Sequence, residues 1–339
     1  MVEVTRRCDL RCPVCFASAG EGEDPPFERM AGIFKKIAAR APGSIVQISG
    51  GEPAMRDDLP ELVAEAAGMN FAGVQLNTNG LRLASEPGFA RTLKEHGLSW
   101  VYLQFDGTDD AVYERLRGRP LFDLKRRAVE RCAEAQLGVV LVATVRRGTN
   151  DHLLGDIIRF GTAHAPTVRG VHFQPMAFFG RYPEAPKDGD RTTLADVLRS
   201  VCEQHGFFRM EDFSPCGGLH PLCTFTGEFL VSGGELARKE TERVHEELDL
   251  VRATSRVASR WTLPSPSGGG EEDGFEKILS WRRRIFTITA MAFQDAWTID
   301  TERLQRCPIK YVAHDGRFFP FCAYNATSTD GRSLYRKDA

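Results

Sequence analysis

Six strand-forming runs alternate with helical patterns across the first 175 residues of this 339-residue chain, and that alternation constrains the fold more than any other feature. The runs are Val2–Thr5, Ser44–Ile48, Ala72–Leu76, Trp100–Phe105, Val139–Val145 and Gly170–Gln174. Helices are predicted over Pro25–Ala41, Leu59–Gly68, Phe89–His96, Asp110–Arg117, Phe122–Ala135 and His152–Ala163. In the first of them Asp24 stands where a cap belongs, Pro25 suits the first helical position, and Phe27, Met30, Phe34 and Ile37 repeat at helical spacing. Gly97 and Gly138 punctuate later helix ends. Such alternation calls for parallel strands joined by right-handed crossovers. Six units are too few for a closed eight-stranded barrel, so the expected α/β architecture is an open (β/α)6 partial barrel. Ligands of such folds sit at the C-terminal strand ends.

Composition narrows the class. The chain is 42% hydrophobic and 27% charged with a net charge of −2, which suits a globular core and gives no reason to expect nucleic-acid binding or bulk attraction to anionic lipid. The stretch Gly138–Val145 is among the most apolar and is only strand-sized, so no transmembrane segment is expected, and no secretory leader precedes Cys8. Met1 stands immediately before the first strand, which suggests either a later start than in related proteins or a missing upstream start. The nine cysteines are odd in number and clustered, a pattern for metal binding in a reducing cytoplasm rather than for disulfides. Regular alternation fades after Pro175, so residues 1–180 are expected to form the core domain and 181–339 a C-terminal extension. Within the extension Arg238–Ser259 is predicted helical and Ser265–Asp273 a flexible loop.

Chemistry concentrates in Cys8, Cys12 and Cys15, spaced C-x3-C-x2-C. Three thiolates this close can hold three irons of a 4Fe–4S cube and leave the fourth open to a chelating small molecule, whereas four cysteines are usual for electron transfer. A zinc site would need a fourth Cys or His nearby, and the next cysteine is Cys132. After the second strand comes Gly50-Gly51-Glu52-Pro53, two glycines that allow backbone to approach a ligand and a carboxylate that can accept from an ammonium.

Together these motifs resemble the radical S-adenosylmethionine (radical SAM) superfamily, which implies the same partial barrel. In that family the open iron binds the amino and carboxylate groups of SAM. Reduction, here by a donor such as flavodoxin or ferredoxin, cleaves SAM to methionine and a 5′-deoxyadenosyl radical that abstracts hydrogen from substrate. The resemblance implies that Cys8, Cys12 and Cys15 hold the catalytic cluster and that Gly50, Gly51 and Glu52 seat the methionine of SAM. Further candidates end successive strands: Asn77, Thr78 and Asn79-Gly80; Gln104 and Asp106; Thr144 and Arg146, with Arg147 as an alternative partner for the SAM carboxylate; and Gln174-Pro175 near adenine. Many members carry an aromatic residue before the third cysteine; here Val14 stands there and Phe16 follows Cys15, so Phe16 becomes the aromatic candidate.

Cys216, Cys223, Cys307 and Cys322 form a second candidate group, for an auxiliary 4Fe–4S cluster or a structural zinc, with His220 either a ligand or a loop residue. Cys132 and Cys202 lie in helical patterns and read as buried small hydrophobes. The runs Val139–Val145, Asn150–Asp156, Ala290–Trp297 and His314–Asn325 resemble the branch containing archaeal tetraether-lipid synthase. That resemblance implies radical functionalisation of an unactivated sp3 carbon, as in C–C coupling of lipid chains, and a membrane-peripheral location if the substrate is a lipid. Phe178, Phe179, Phe286, Ile288, Met291, Phe293 and Trp297 either line an apolar tunnel for such chains or form ordinary core. The alternatives are a peptide-modifying maturase with auxiliary clusters and a non-catalytic iron–sulfur carrier or sensor; a carrier has no need of the Gly-Gly-Glu motif.

Overall fold

A computed structural model of the chain describes residues 1–216, 219–239, 250–265, 274–329 and 332–336. The alternation unfolds as β1 (Val2–Thr5), α1 (Phe27–Arg40), β2 (Ile45–Gly50), α2 (Leu59–Ala67), β3 (Gly73–Thr78), α3 (Leu81–Ser85), α4 (Phe89–Glu95), β4 (Trp100–Gln104), α5 (Asp110–Arg117), α6 (Phe122–Glu134), β5 (Gly138–Val145), α7 (Leu154–Ala163) and β6 (Val168–Pro175). These six strands are parallel neighbours in chain order, the (β/α)6 arrangement expected. Strands covered on both sides can be apolar throughout; in β5 every residue but Thr144 is buried.

One local expectation fails at the first helix. Asp24 does not cap α1, because its carboxylate is drawn to Thr5 and Arg7, and Pro26 rather than Asp24 stands at the N-cap. At the end of β3, Gly80 adopts φ 80° as the N-cap of α3, which follows directly.

The sheet does not end near residue 180. After α8 (Leu194–His205), the chain forms the hairpin β7 (Thr224–Ser232) and β8 (Glu235–Arg238), then α9 (Leu250–Trp261), α10 (Gly274–Arg284) and β9 (Ile285–Met291). Strand β9 adds to β6 in parallel, and β7 adds to β9 antiparallel, giving the order β1-β2-β3-β4-β5-β6-β9-β7-β8. Of the expected helix over 238–259, Arg238 ends β8 and Leu250–Ser259 are helical; residues 240–249, and the predicted loop apart from Ser265, lie outside the described residues. The C-terminal part closes with α11 (Thr301–Gln305), the ribbon β10 (Lys310–Val312) and β11 (Phe318–Pro320), and α12 (Phe321–Asn325).

Outward-facing strand residues pack under the helices as the main core. Phe286 and Ile288 belong there, fully buried, so they are core residues and not tunnel lining. Trp297 is 38% exposed and packs its edge on Phe178 and Tyr182, again away from the barrel interior. Among the described residues no helix is long and apolar enough to cross a membrane.

Candidate active site

The barrel encloses a cavity of about 1130 Å³ that runs from the cysteine loop to the opposite ends of the strands. Cys8, Cys12, Cys15, Phe16, Gly50, Gly51, Glu52, Asn77, Thr78, Gln104, Thr144 and Gln174 all line it, so most of the predicted site residues converge. The inward positions of the strands are largely polar, with Gln47, Ser49, Gln75, Tyr102, His172 and Thr289 among them.

The cysteine loop is held on both flanks by backbone. Gly51 N–H donates to Thr5 O at 2.9 Å and Glu52 N–H to Arg7 O at 2.8 Å. A Cβ on Gly50 would lie 2.2 Å from Thr5 O. The glycines are thus demanded by the approach of β1 and its following loop, not by a ligand alone. On the other flank Cys15 and Arg181 exchange backbone hydrogen bonds of 2.9 and 2.8 Å, and the Arg336 guanidinium donates to Ala17 O at 3.1 Å while pairing with Glu3. Phe16 packs on Phe321 with centroids 5.8 Å apart.

The Glu52 carboxylate is 2% exposed. It accepts from Thr78 Oγ1 at 2.6 Å, Ala54 N–H at 3.0 Å and Asn79 N–H at 2.6 Å. Burial pushes its pKa up to about 7 against the pull of these donors. A carboxylate has about four lone-pair positions, so one remains for a donor from the cavity.

Beneath the loop lies a buried polar network that the sequence reading did not anticipate. Arg117 donates to both carboxylate oxygens of Asp106, at 2.6 and 2.8 Å, to Thr144 Oγ1 at 3.0 Å and to Val14 O at 3.1 Å, and its charge lies beside Cys12 and Cys15. Lys125 donates to Asn79 O and, at 2.7 Å, to Gln104 Oε1; burial pulls its pKa down to about 8. The sequence held a signal for both: Lys125 shares the apolar face of Ala128, Val129 and Cys132, and Arg117 that of Tyr113. A charge at such a position has a buried partner or a function.

Asp106 is corrected by this network. It is fully buried, spent on Arg117 and the Thr144 N–H, and does not line the cavity. Arg146 is corrected too: the strand ends at Val145, the Arg146 N–H is bound by Asn150, and its side chain does not line the cavity. Arg147 pairs with Asp196 instead. His172, missed from sequence, is bound through Nδ1 to Thr289 at 2.7 Å and faces Tyr102, with ring centroids 5.4 Å apart. Burial lowers its pKa to about 3, so the ring is neutral.

The second cysteine group separates. Cys223, Cys307 and Cys322 are electrostatic neighbours, and burial raises Cys322 to about 12. Arg303 donates to Cys223 Sγ at 3.1 Å and leaves its buried Nε without a partner, while Gln294 N–H donates to Cys322 Sγ at 3.3 Å. Cys216 does not join them. Ser214 pairs with Thr226 by two backbone hydrogen bonds, of 3.0 and 2.8 Å, and this turns Cys216 toward Arg260, Arg256 and Glu228. Among the described residues no three His, Cys, Asp or Glu side chains converge on a single metal-ion position. A cube assigns each thiolate to a different iron, so its ligands need not converge on one point.

Residues 2–161 match the profile of the radical SAM superfamily. A 7,8-dihydro-6-hydroxymethylpterin dimethyltransferase of Methanocaldococcus jannaschii is 32% identical over 96% of this chain and 76% of its own length. The mycofactocin maturase MftC of Mycobacterium tuberculosis is 30% identical over 65% of this chain, and the chain spans 57% of it. The crystal structure of Streptococcus suis SuiB bound to the precursor peptide SuiA aligns with a TM-score of 0.49 at 16% identity, over 60% of this chain and 44% of that one.

Proposed function

The chain belongs to the radical SAM superfamily and is a SAM-dependent enzyme, and from that premise we propose that it alkylates a carbon of a small polar heterocycle of the pterin class. The observation that carries this reading is the 32% identity to a pterin dimethyltransferase along 96% of the chain. The cavity supports it with a polar lining: Gln75, Asn77 and Gln104 are engaged with Trp100, Ser49 and Lys125, and the side-chain amide of Gln47 offers both a donor and an acceptor to a heterocycle.

The donor set at the barrel mouth fits the superfamily's cofactors: three thiols side by side, a buried amide (Leu10 N–H) donating to Cys8 Sγ at 3.4 Å, and a guanidinium beside Cys12. In our reading Cys8, Cys12 and Cys15 hold a 4Fe–4S cluster, and the cluster with SAM supplies one-electron reductive cleavage and a carbon-centred radical. Glu52 keeps one lone pair for the ammonium of the methionine moiety. Arg117 fixes the loop through Val14 O and sets positive charge near Cys12, favouring its thiolate. Tyr102 and His172 pack on each other and together line the cavity, where they would form one apolar wall for a planar ring, with the imidazole neutral. Strands β7 and β9 and the ribbon β10–β11 supply cavity-lining residues beyond the six-stranded barrel, and Cys223, Cys307 and Cys322 would hold a second iron–sulfur centre whose amide and guanidinium neighbours suit it.

Lipid coupling, as in the tetraether branch, keeps Phe179, Met291 and Phe293 on the cavity in its favour. Phe178, Phe286, Ile288 and Trp297 do not line it, and the relative that matches along 96% of the chain is named for a small molecule, a pterin. A peptide-modifying role is the second reading, favoured by the mycofactocin maturase.

The test is anaerobic reconstitution followed by dithionite, SAM and 7,8-dihydro-6-hydroxymethylpterin. Formation of 5′-deoxyadenosine is expected together with a methylated pterin whose methyl group comes from a second SAM, with S-adenosylhomocysteine released, or from an added one-carbon donor, and these products disappear in Cys12→Ala. Cleavage of SAM with the pterin unchanged, across SAM concentrations and methyl sources, sinks the pterin reading and turns the search to peptides.

A further inference from the structure

The end of the cavity remote from the cysteines has a different chemistry. It lies at the N-terminal ends of the parallel strands, where Glu228 on β7 pairs in register with Thr287 near the start of β9. Strand β2, from Ile45 to Gly50, connects this end to the Gly-Gly-Glu turn; five steps of about 3.3 Å make the separation roughly 16 Å.

Arg256 and Arg260 line this end and both pair with Glu228, Arg256 at 3.4 Å. Lys239 reaches the same carboxylate at 3.2 Å. Even with Lys239 set aside, two guanidiniums share one carboxylate among the described residues. The Arg260 side chain is only 12% exposed. Arg256 is 46% exposed, and a guanidinium cannot shed its charge in a protein, so the second guanidinium leaves net positive charge at the cavity wall beside the buried Arg260–Glu228 pair, which an anion entering the cavity would offset. Burial lowers the Arg260 pKa to about 10 despite the Glu228 charge, in keeping with incomplete compensation. The planar fork of Arg suits oxyanions, and Thr226 and Thr254 line the cavity beside it.

We propose that this end is an anion subsite, formed by Arg256 and Arg260, for a phosphate or carboxylate on the part of the substrate remote from the reacting carbon. The inference rests on reading the cavity as the substrate site, and it deepens the pterin proposal by adding an anionic substituent at a distance set by the barrel.

Calorimetric titration of the anaerobically reconstituted full chain tests it, with inorganic pyrophosphate and glutarate as probes of the two oxyanion classes. Saturable binding of at least one is expected, weakened tenfold or more in Arg256→Gln/Arg260→Gln and by added salt, and largely restored in Arg256→Lys/Arg260→Lys. Folding is checked by circular dichroism, and Lys239 remains to neutralise Glu228 in the double variant. A second titration compares 7,8-dihydro-6-hydroxymethylpterin with its diphosphate ester. If neither probe binds, or binding is equal in the glutamine variant, the subsite is overturned, whatever the pterins do. If a probe binds through the arginines but neither pterin binds, the subsite stands and the pterin reading falls.

Discussion

A Cβ on Gly51 would lie 2.2 Å from the carbonyl oxygen of Arg7, the residue that precedes Cys8. The neighbouring Glu52 N–H donates to that same oxygen at 2.8 Å. The glycine therefore keeps a backbone seam closed between the turn that carries Glu52 and the loop that carries the three cysteines. In Gly51→Ala the methyl group meets backbone, which cannot rotate away. A cost of about 1–3 kcal/mol is expected, typical of overpacking, and the cysteine loop is what must move. The variant should melt several degrees lower and retain clearly less iron after reconstitution. Wild-type iron content and melting temperature would show that the seam yields freely.

Arg117 and Asp106 make the second prediction. Asp106 is fully buried and its partner 8% exposed. Removing one member leaves an uncompensated charge, a loss of about 3–5 kcal/mol, whereas removing both costs much less. Urea denaturation should show Arg117→Met strongly destabilised and Arg117→Met/Asp106→Asn substantially recovered. Additive losses would mean that Arg117 is held chiefly by Val14 O and Thr144. With the Asp106→Asn pair in place, a shifted reduction potential or EPR signal of the reconstituted centre would separate the electrostatic role of Arg117 from its structural one.

The sequence made the first half of this architecture legible because its information is local. Strands β1 to β6 are short apolar runs separated by amphipathic helices, and the cysteines and Gly-Gly-Glu sit on consecutive strand ends. Strand β9 was not legible: Ile285–Met291 follows a helix like any other strand, but its neighbours β6 and β7 are set by long-range pairing that no local pattern encodes. Asp106 and Arg146 failed for a related reason. Position at a strand end says that a residue is near the site, while its partner, Arg117 or Asn150, decides whether it faces the cavity. Lys125 and Arg117 leave a weaker trace, because a single charge on an apolar helix face is also compatible with an ordinary amphipathic helix.

A third prediction concerns pH. His172 is buried and neutral, with its pKa lowered to about 3 against about 6.5 for the free side chain. Between those values the unfolded chain binds a proton that the folded site refuses. Stability from this group is therefore intact above pH 6.5 and falls as pH drops toward 3, by at most about 1.4 kcal/mol per pH unit. Urea midpoints of the apoprotein at pH 7.0, 6.0 and 5.0 should fall more steeply for wild type than for His172→Gln. Parallel profiles would mean that the imidazole is protonated in the folded state.

The last prediction separates the two members of the Cys216–Cys223 pair, which are seven residues apart in sequence. Cys223 faces Cys307 and Cys322, with the Arg303 guanidinium on its sulfur; Cys216 faces Arg256, Arg260 and Glu228. If the three neighbouring thiols hold a second centre, Cys322→Ala and Cys307→Ala lower the iron bound on reconstitution by about one cluster's worth and leave SAM binding at the barrel mouth intact. Cys216→Ala leaves the iron count unchanged. Buried Cys322 already has its thiolate disfavoured, so its deprotonation needs a metal to offset the cost. That makes the unloaded site a thiol cluster and ties cluster loading to proton release. Iron lost equally in Cys216→Ala would restore the four-cysteine set expected from the sequence and require the Ser214–Thr226 pairing to open. Iron unchanged in all three variants would remove the second centre altogether.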